Sequence, residues 1–197
     1  MNSTLLLRTV YKQVASLLVV LPASMRFHDL KHTQDVFFVA TEIALNSEIP
    51  HQDILTLQLA ALFHDTGYLF DYIGHEEKSK LTAANFLLQE GCPENLIAGV
   101  VQTIDATKMP QHPQTDIQRI LCDADLFHLA QTDYADYADR LRAEWASNLQ
   151  KQFSDQEWRV NNLKFMQQHQ YFTTYASELL EPGKQQNLRR LFLHELD

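Results

Sequence analysis

The chain has 197 residues, a formal charge of −9 and a pI near 5.4. That length suits one domain with a substantial core. The acidic balance excludes a broad grip on a nucleic-acid backbone, which needs a basic surface. Only 5 glycines and 6 prolines punctuate the sequence, a composition that favours long helices over many tight turns.

The first helix is predicted from about Thr4 to Leu21, stopping at Pro22. Its run from Val14 to Ala23, preceded by Arg8 and Lys12, loosely resembles a signal peptide. However, Leu7, Val10, Tyr11, Val14, Leu17, Leu18 and Leu21 recur at helical spacing, as in an amphipathic core helix. The run is also too short to span a bilayer, so no membrane attachment is expected.

Asp29 is placed to cap a second helix reaching about Ser47. On it His32, Val36, Val39 and Ile43 share one face, so His32 heads an apolar stripe and points inward. A hydrogen-bonded core histidine would satisfy that placement as well as a ligand would. Pro50 suits the first turn of a third helix, apolar nearly all round and therefore buried. This helix delivers His64 and Asp65 at its C-terminal end, where burying such a pair is costly without compensation. A metal ion compensates economically, because it uses neutral imidazole and ionised carboxylate together.

Gly67 and Gly74 bracket a short connection, and a fourth helix follows from about Glu76 to Glu90. Pro93 starts a fifth, with Leu96, Ile97, Val100, Val101 and Ile104 facing inward, ending near Thr107-Lys108. His112, between two prolines, reads as solvated. The sixth helix, capped by Thr115 or Asp116, carries two acids whose spacing separates them. Asp125 falls within the apolar face of Leu121, Cys122 and Leu129 and needs a buried partner, whereas Asp123 lies four residues from Arg119, which could pair with it nearer the rim. Cys92 and Cys122 have neither metal-knuckle nor disulfide spacing and read as core residues of a reducing, cytoplasmic protein.

The remaining third, from Asp133, is predicted helical. Trp158, Asn162, Phe165, His169 and Phe172 fall on one face and read as a packing stripe, and Pro182-Gly183 should break the chain before a last helix. Nothing marks a domain boundary. The reading is one domain, 1–197, with a metal-site core of about 22–130 and a helical extension of about 131–197.

His32, His64, Asp65 and Asp125 thus arrive from three helices, and their order resembles the HD superfamily of metal-dependent phosphohydrolases. Phe27-His28-Asp29-Leu30-Lys31-His32-Thr33 is similar to that family's entry motif, Ala61 to Tyr68 to its central helix end, and Ile120 to Leu126 to its last-ligand helix. The segment from His169 to Leu188 also resembles the tail of small stand-alone members. The resemblance implies an all-α, HD-domain-like bundle with additional C-terminal helices and a site for one or two divalent ions. Two imidazoles and two carboxylates suit Mn, Fe, Zn, Co, Ni or Mg without choosing among them.

With two ions, Asp65 is the natural bridge, since a carboxylate can ligate both. His75 and Glu76 are the nearest further donors, or equally the start of a helix. His28, one turn from His32, would touch substrate or orient the site, and Lys108 would neutralise a phosphate or lie in solvent. Thr66-Gly67-Tyr68-Leu69 replaces the acidic pair of the alarmone hydrolases. The signatures of cyclic dinucleotide and mammalian-type cyclic nucleotide phosphodiesterases are absent too. The expected activity is hydrolysis of a phosphomonoester or phosphodiester in a small phosphorylated compound, a nucleotide among the candidates. A di-iron oxygenase of the same fold and a non-catalytic, metal-stapled binding module are the alternatives, and a homodimer is expected from the helical surfaces.

Overall fold

The segment from Thr56 to Phe63 is almost wholly buried, and the rest of the core is arranged around it. The structure, a computed structural model, describes residues 2–193. These form α1 (Ser3–Leu18), α2 (Leu30–Leu45), α3 (His51–Phe63), α4 (His75–Gln89), α5 (Glu94–Asp105), α6 (Asp116–Asp125), α7 (Tyr134–Asn148), α8 (Asp155–Gln168) and α9 (Thr174–Leu193). Two 3-10 turns, Thr66–Leu69 and Phe127–Ala130, join them, and there is no strand among the described residues. The fold is all-α. No described helix is long and apolar enough to cross a membrane.

Most helices start and stop where local chemistry directs. Asp29 caps α2 by accepting from the His32 amide, and Thr115 and Gln118 form a reciprocal capping box at α6. Gly74, at φ +75°, precedes α4 in the left-handed region. α1 ends at Leu18 rather than Leu21, because i→i+3 bonds tighten its exit at Val20 and Leu21. Its buried stripe is Leu6, Val10, Val14 and Leu18, while Tyr11 turns outward to accept from Gln34.

α3 packs against α1, α2, α4, α5 and α6, which enclose it beyond its exposed first turn at His51 and Gln52. One apolar cluster runs from Leu6 through α2, α3 and α6 and takes in Tyr137, Tyr171, Ala176 and Leu180 from the chain beyond residue 130. A smaller cluster of Leu129, Tyr134, Met166 and Leu191 lies under α7, α8 and α9.

Two expectations fail in this second half. α9 continues through Pro182 and Gly183 without a break. A mid-helix proline costs roughly 3 kcal/mol, and several contacts beyond it offset that cost. Asn187 donates to the carbonyls of Leu129 and Gln131, Lys184 donates to the His169 carbonyl, and Leu191 is buried. Gly183 is required there, since a Cβ would come within 2.2 Å of the Ala130 carbonyl oxygen. Nor is the stripe from Trp158 to Phe172 a single packing face. Trp158 is buried, but α8 ends at Gln168 and Phe172 is 43% exposed.

Candidate metal centre

His32 enters from the first turn of α2, His64 closes α3, and Asp65 follows it. Asp125 ends α6. Among the described residues, ligand atoms of His32, His64 and Asp125 all lie within 4.8 Å of one another. His64 Nε2 is 3.0 Å from Asp65 Oδ2 and 3.3 Å from Asp125 Oδ1. His32 Nε2 is 3.2 Å from Asp125 Oδ1 and 3.4 Å from Asp65 Oδ2.

The bonding around His64 decides what this cluster can hold. Its Nδ1 donates to the Ala61 carbonyl at 2.8 Å, which leaves a lone pair on Nε2. That lone pair faces carboxylate oxygen, and both His64 Nε2 and Asp65 Oδ2 are buried without a hydrogen-bond partner. Two such atoms this close need a proton or a metal ion between them. The backbone carbonyl behind His64 is the usual orienting partner of a metal-binding imidazole. The donor set therefore fits a divalent metal.

The electrostatics agree. Burial alone would lower the pKa of His64, but the charges of Asp65 and Asp125 outweigh it and hold the group well above its ordinary value. Burial likewise opposes the charge on Asp65, and His64 and His75 overcome it, leaving the carboxylate well below the usual range. A field that stabilises positive charge between these groups also stabilises a metal ion.

His75, at the start of α4, places Nε2 3.3 Å from Asp65 Oδ1, the oxygen pointing away from His64. Gly67 makes this possible. A Cβ there would sit 1.8 Å from the His75 carbonyl oxygen, so only glycine lets the turn after Asp65 lie against α4. Tyr68 stacks on the His75 ring at 3.8 Å between centroids and on His28 at 4.3 Å. Glu76 is buried beside His75, 3.8 Å from its Nδ1.

A cavity of about 440 Å³ opens from this cluster. Asp65, Asp125, His75 and His28 line one end, and Leu141, Trp145, Trp158 and Phe165 build an apolar wall from α7 and α8. Trp158 and Phe165 therefore face a cavity as well as a core. Among the described residues lining it there is no lysine or arginine. Lys108, expected to meet a phosphate or lie in solvent, is more than half exposed, with its amine 3.9 Å from Glu77, and does not line this cavity. The loop after α5 directs Thr107 and Met109 to the cavity instead.

The two acids of α6 need a correction. Asp123 is the completely buried one, and Arg119 pairs with Asp116 rather than with it. Asp123 accepts from the amides of Phe172 and Thr173 and from the Thr173 hydroxyl. Asp125 is 20% exposed at its side chain because it faces the cavity.

Sequence reasoning missed Glu144 altogether. It is fully buried on α7 and accepts from the Phe27 and His28 amides, from Tyr72 and from His28 Nδ1. Burial raises its pKa, but His28 outweighs that and lowers it. His28 is raised in turn, Glu144 overcoming the effect of burial. The 3-4-3 spacing of Tyr134, Tyr137, Leu141 and Glu144 placed this acid on an inward face and was the available signal.

Comparison with known proteins gives the same architecture. A Bacillus subtilis protein, YpgQ, solved in complex with ADP, superposes with a TM-score of 0.71 at 20% identity, covering 100% of this chain and 95% of that one. The Lin1889 protein of Listeria innocua gives 0.69 at 19% identity, over 99% and 96% of the two chains. A predicted HD superfamily hydrolase from an uncultured Thermotogales bacterium gives 0.66 at 20%, over 100% of both. No curated protein matches the sequence. The HD domain family matches residues 29–130, more than half of the chain and the stretch that holds His32, His64, Asp65 and Asp125. The chain belongs to the HD domain family.

Proposed function

We propose that this protein is a metal-dependent phosphohydrolase acting on a small phosphorylated compound, with nucleotides the first class to test. The family and the centre support a metal-dependent hydrolase. The observation that carries the finer reading is the pair of orphaned acceptors, His64 Nε2 and Asp65 Oδ2, beside a cavity open to a small molecule. The size of that cavity and the ADP bound by the structurally similar Bacillus subtilis protein support a nucleotide-sized substrate.

His32, His64, Asp65 and Asp125 would hold the ion. A bound divalent cation supplies a more acidic water and polarises a phosphoryl oxygen. The chain's own residues do the rest. His28 faces the cavity and, with no lysine or arginine among the described lining residues, would as an imidazolium whose Nδ1–H is held by Glu144 donate from Nε2 to an anionic substrate. His75 and the second oxygen of Asp65 give room for a further ion. The aromatic wall excludes water from the apolar part of the substrate. We read the α7–α9 segment as part of the same domain, because its residues enter the main apolar cluster.

The test is elemental analysis of the purified protein, followed by a phosphate-release screen over nucleotides and simple phosphoesters. Release that needs the metal and is lost in Asp65→Ala is the expected result. Full turnover by the metal-loaded Asp65→Ala protein would refute it. His75 also favours a second reading, a di-iron oxygenase, since an extra imidazole suits a second iron. Oxygen consumption with an iron-dependent paramagnetic signal would establish that reading, and a manganese-loaded phosphohydrolase would exclude it.

A further inference from the structure

We propose that Glu144, on α7 and outside the family-matched residues 29–130, is a positioning residue of this centre, fixing the tautomer and direction of His28 so that its Nε2 faces the cavity. The inference rests on the phosphohydrolase reading only in taking His28 to meet an anionic substrate.

The hydrogen-bond chemistry leaves one arrangement. A carboxylate can only accept, so His28 Nδ1, 2.5 Å from Glu144 Oε1, must carry the hydrogen in either protonation state of the ring. Nε2 is then the free atom of the imidazole, directed to the Tyr68 hydroxyl at 3.3 Å and to the cavity. The other carboxylate oxygen takes the Phe27 amide at 2.7 Å and the His28 amide at 3.1 Å, which fixes the backbone carrying the ring. Tyr72, from the loop before α4, donates to the first oxygen at 2.9 Å. Glu144 thus joins three separate segments at one buried point, and two of its partners, Phe27 and His28, line the cavity. The site is incomplete without α7.

Glu144→Gln separates positioning from mere support. The two backbone amides can only donate, so they hold the glutamine oxygen where Oε2 stood. The amide nitrogen must then face His28 Nδ1 and donate to it. The imidazole can move its proton, and it switches tautomer. The strap to the backbone survives, but with hydrogen excluded from Nδ1 the ring cannot carry hydrogen on both nitrogens, and the positive charge facing an anionic substrate is lost.

The experiment combines side-chain nitrogen NMR of His28 in the magnesium-loaded protein with phosphate-release kinetics. In the wild type, Nδ1 should carry hydrogen. In Glu144→Gln it should lose it, metal content should stay unchanged, and kcat/KM should fall roughly ten- to hundredfold, the usual effect of losing an orienting partner. Glu144→Asp keeps an acceptor for Nδ1 and should retain the wild-type tautomer with higher activity than Glu144→Gln; it also carries the test if the glutamine variant does not fold.

Wild-type kcat/KM in Glu144→Gln, or a wild-type His28 without hydrogen on Nδ1, would overturn the proposal. If the wild type releases no phosphate from any compound, the phosphohydrolase reading fails by itself. The affinity of the magnesium-loaded protein for inorganic phosphate then decides: weaker binding in Glu144→Gln supports the role of Glu144, and equal binding refutes it.

Discussion

The metal centre and the seam between α6 and the α8–α9 connection both bury carboxylates, yet they treat them in opposite ways. In the seam, Asp123 is completely buried and meets three donors, two amides and a hydroxyl. In the centre, Asp65 is buried almost as deeply, but no backbone amide or hydroxyl meets its Oδ2, which faces His64 Nε2 at 3.0 Å across a place that a proton or a metal ion can take. The two acids of α6 stand two residues apart and belong one to each region. A satisfied buried acid holds a structure together, whereas an unsatisfied one marks a place where something else must bind.

This contrast predicts that each region fails in its own way. The largest effect belongs to the centre. Asp65→Ala should reduce bound metal at least about a hundredfold, more than the loss of an outer partner would, and eliminate turnover with it. Metal analysis and phosphate release check this together, and near-stoichiometric metal in the variant would break the comparison.

Asp123→Ala should do the reverse. It strands three buried donors and should lower unfolding free energy by about 3 kcal/mol, in the range for a charged hydrogen-bond acceptor. Metal stoichiometry at low temperature should remain that of the wild type. Denaturant unfolding and metal analysis of the same preparation separate the two outcomes. Loss of metal without loss of stability would invert the assignment.

Chelation sharpens the same point. A ligand present at a hundred times its dissociation constant stabilises by about 2.7 kcal/mol, so removing the metal should lower Tm by several degrees. The helices should persist at room temperature, because the apolar cluster around α3 does not depend on the ion. Collapse of the circular dichroism on chelation would favour the metal-stapled binding module instead.

The smallest effect lies in the seam. Burial and then Lys184 push His169 down to about 4 from its ordinary 6.5, so the fold keeps this ring neutral. A depressed folded pKa contributes stability above about 6.5 that is lost as pH falls towards about 4. The Tm of His169→Gln should therefore fall less steeply than that of the wild type across this window. Parallel slopes would show that His169 does not contribute.

Much of the molecule could be read along the chain. The caps of α2 and α6, the buried character of α3 and the inward faces of His32 and Asp125 all follow from residue type and helical period. Asp125 joins the cluster, as its place on the apolar face predicts, whereas Asp123 does not pair with Arg119. Arg119 lay at the right spacing, and the partners that claimed Asp123 came from about fifty residues downstream. At Pro182 the local breaking signal is outweighed by contacts with Leu129, Gln131 and His169.

By itself, then, the sequence determined the helical class, the order of the elements through α6 and the four residues gathered at the His-Asp pair. Those depend on periodicity and short-range chemistry. Tertiary structure alone decided that His75 reaches the far oxygen of Asp65, that Lys108 turns away to Glu77, and that Glu144 meets His28 across 116 residues of chain. Such pairings depend on where helices come to rest against one another, and no local pattern encodes that position.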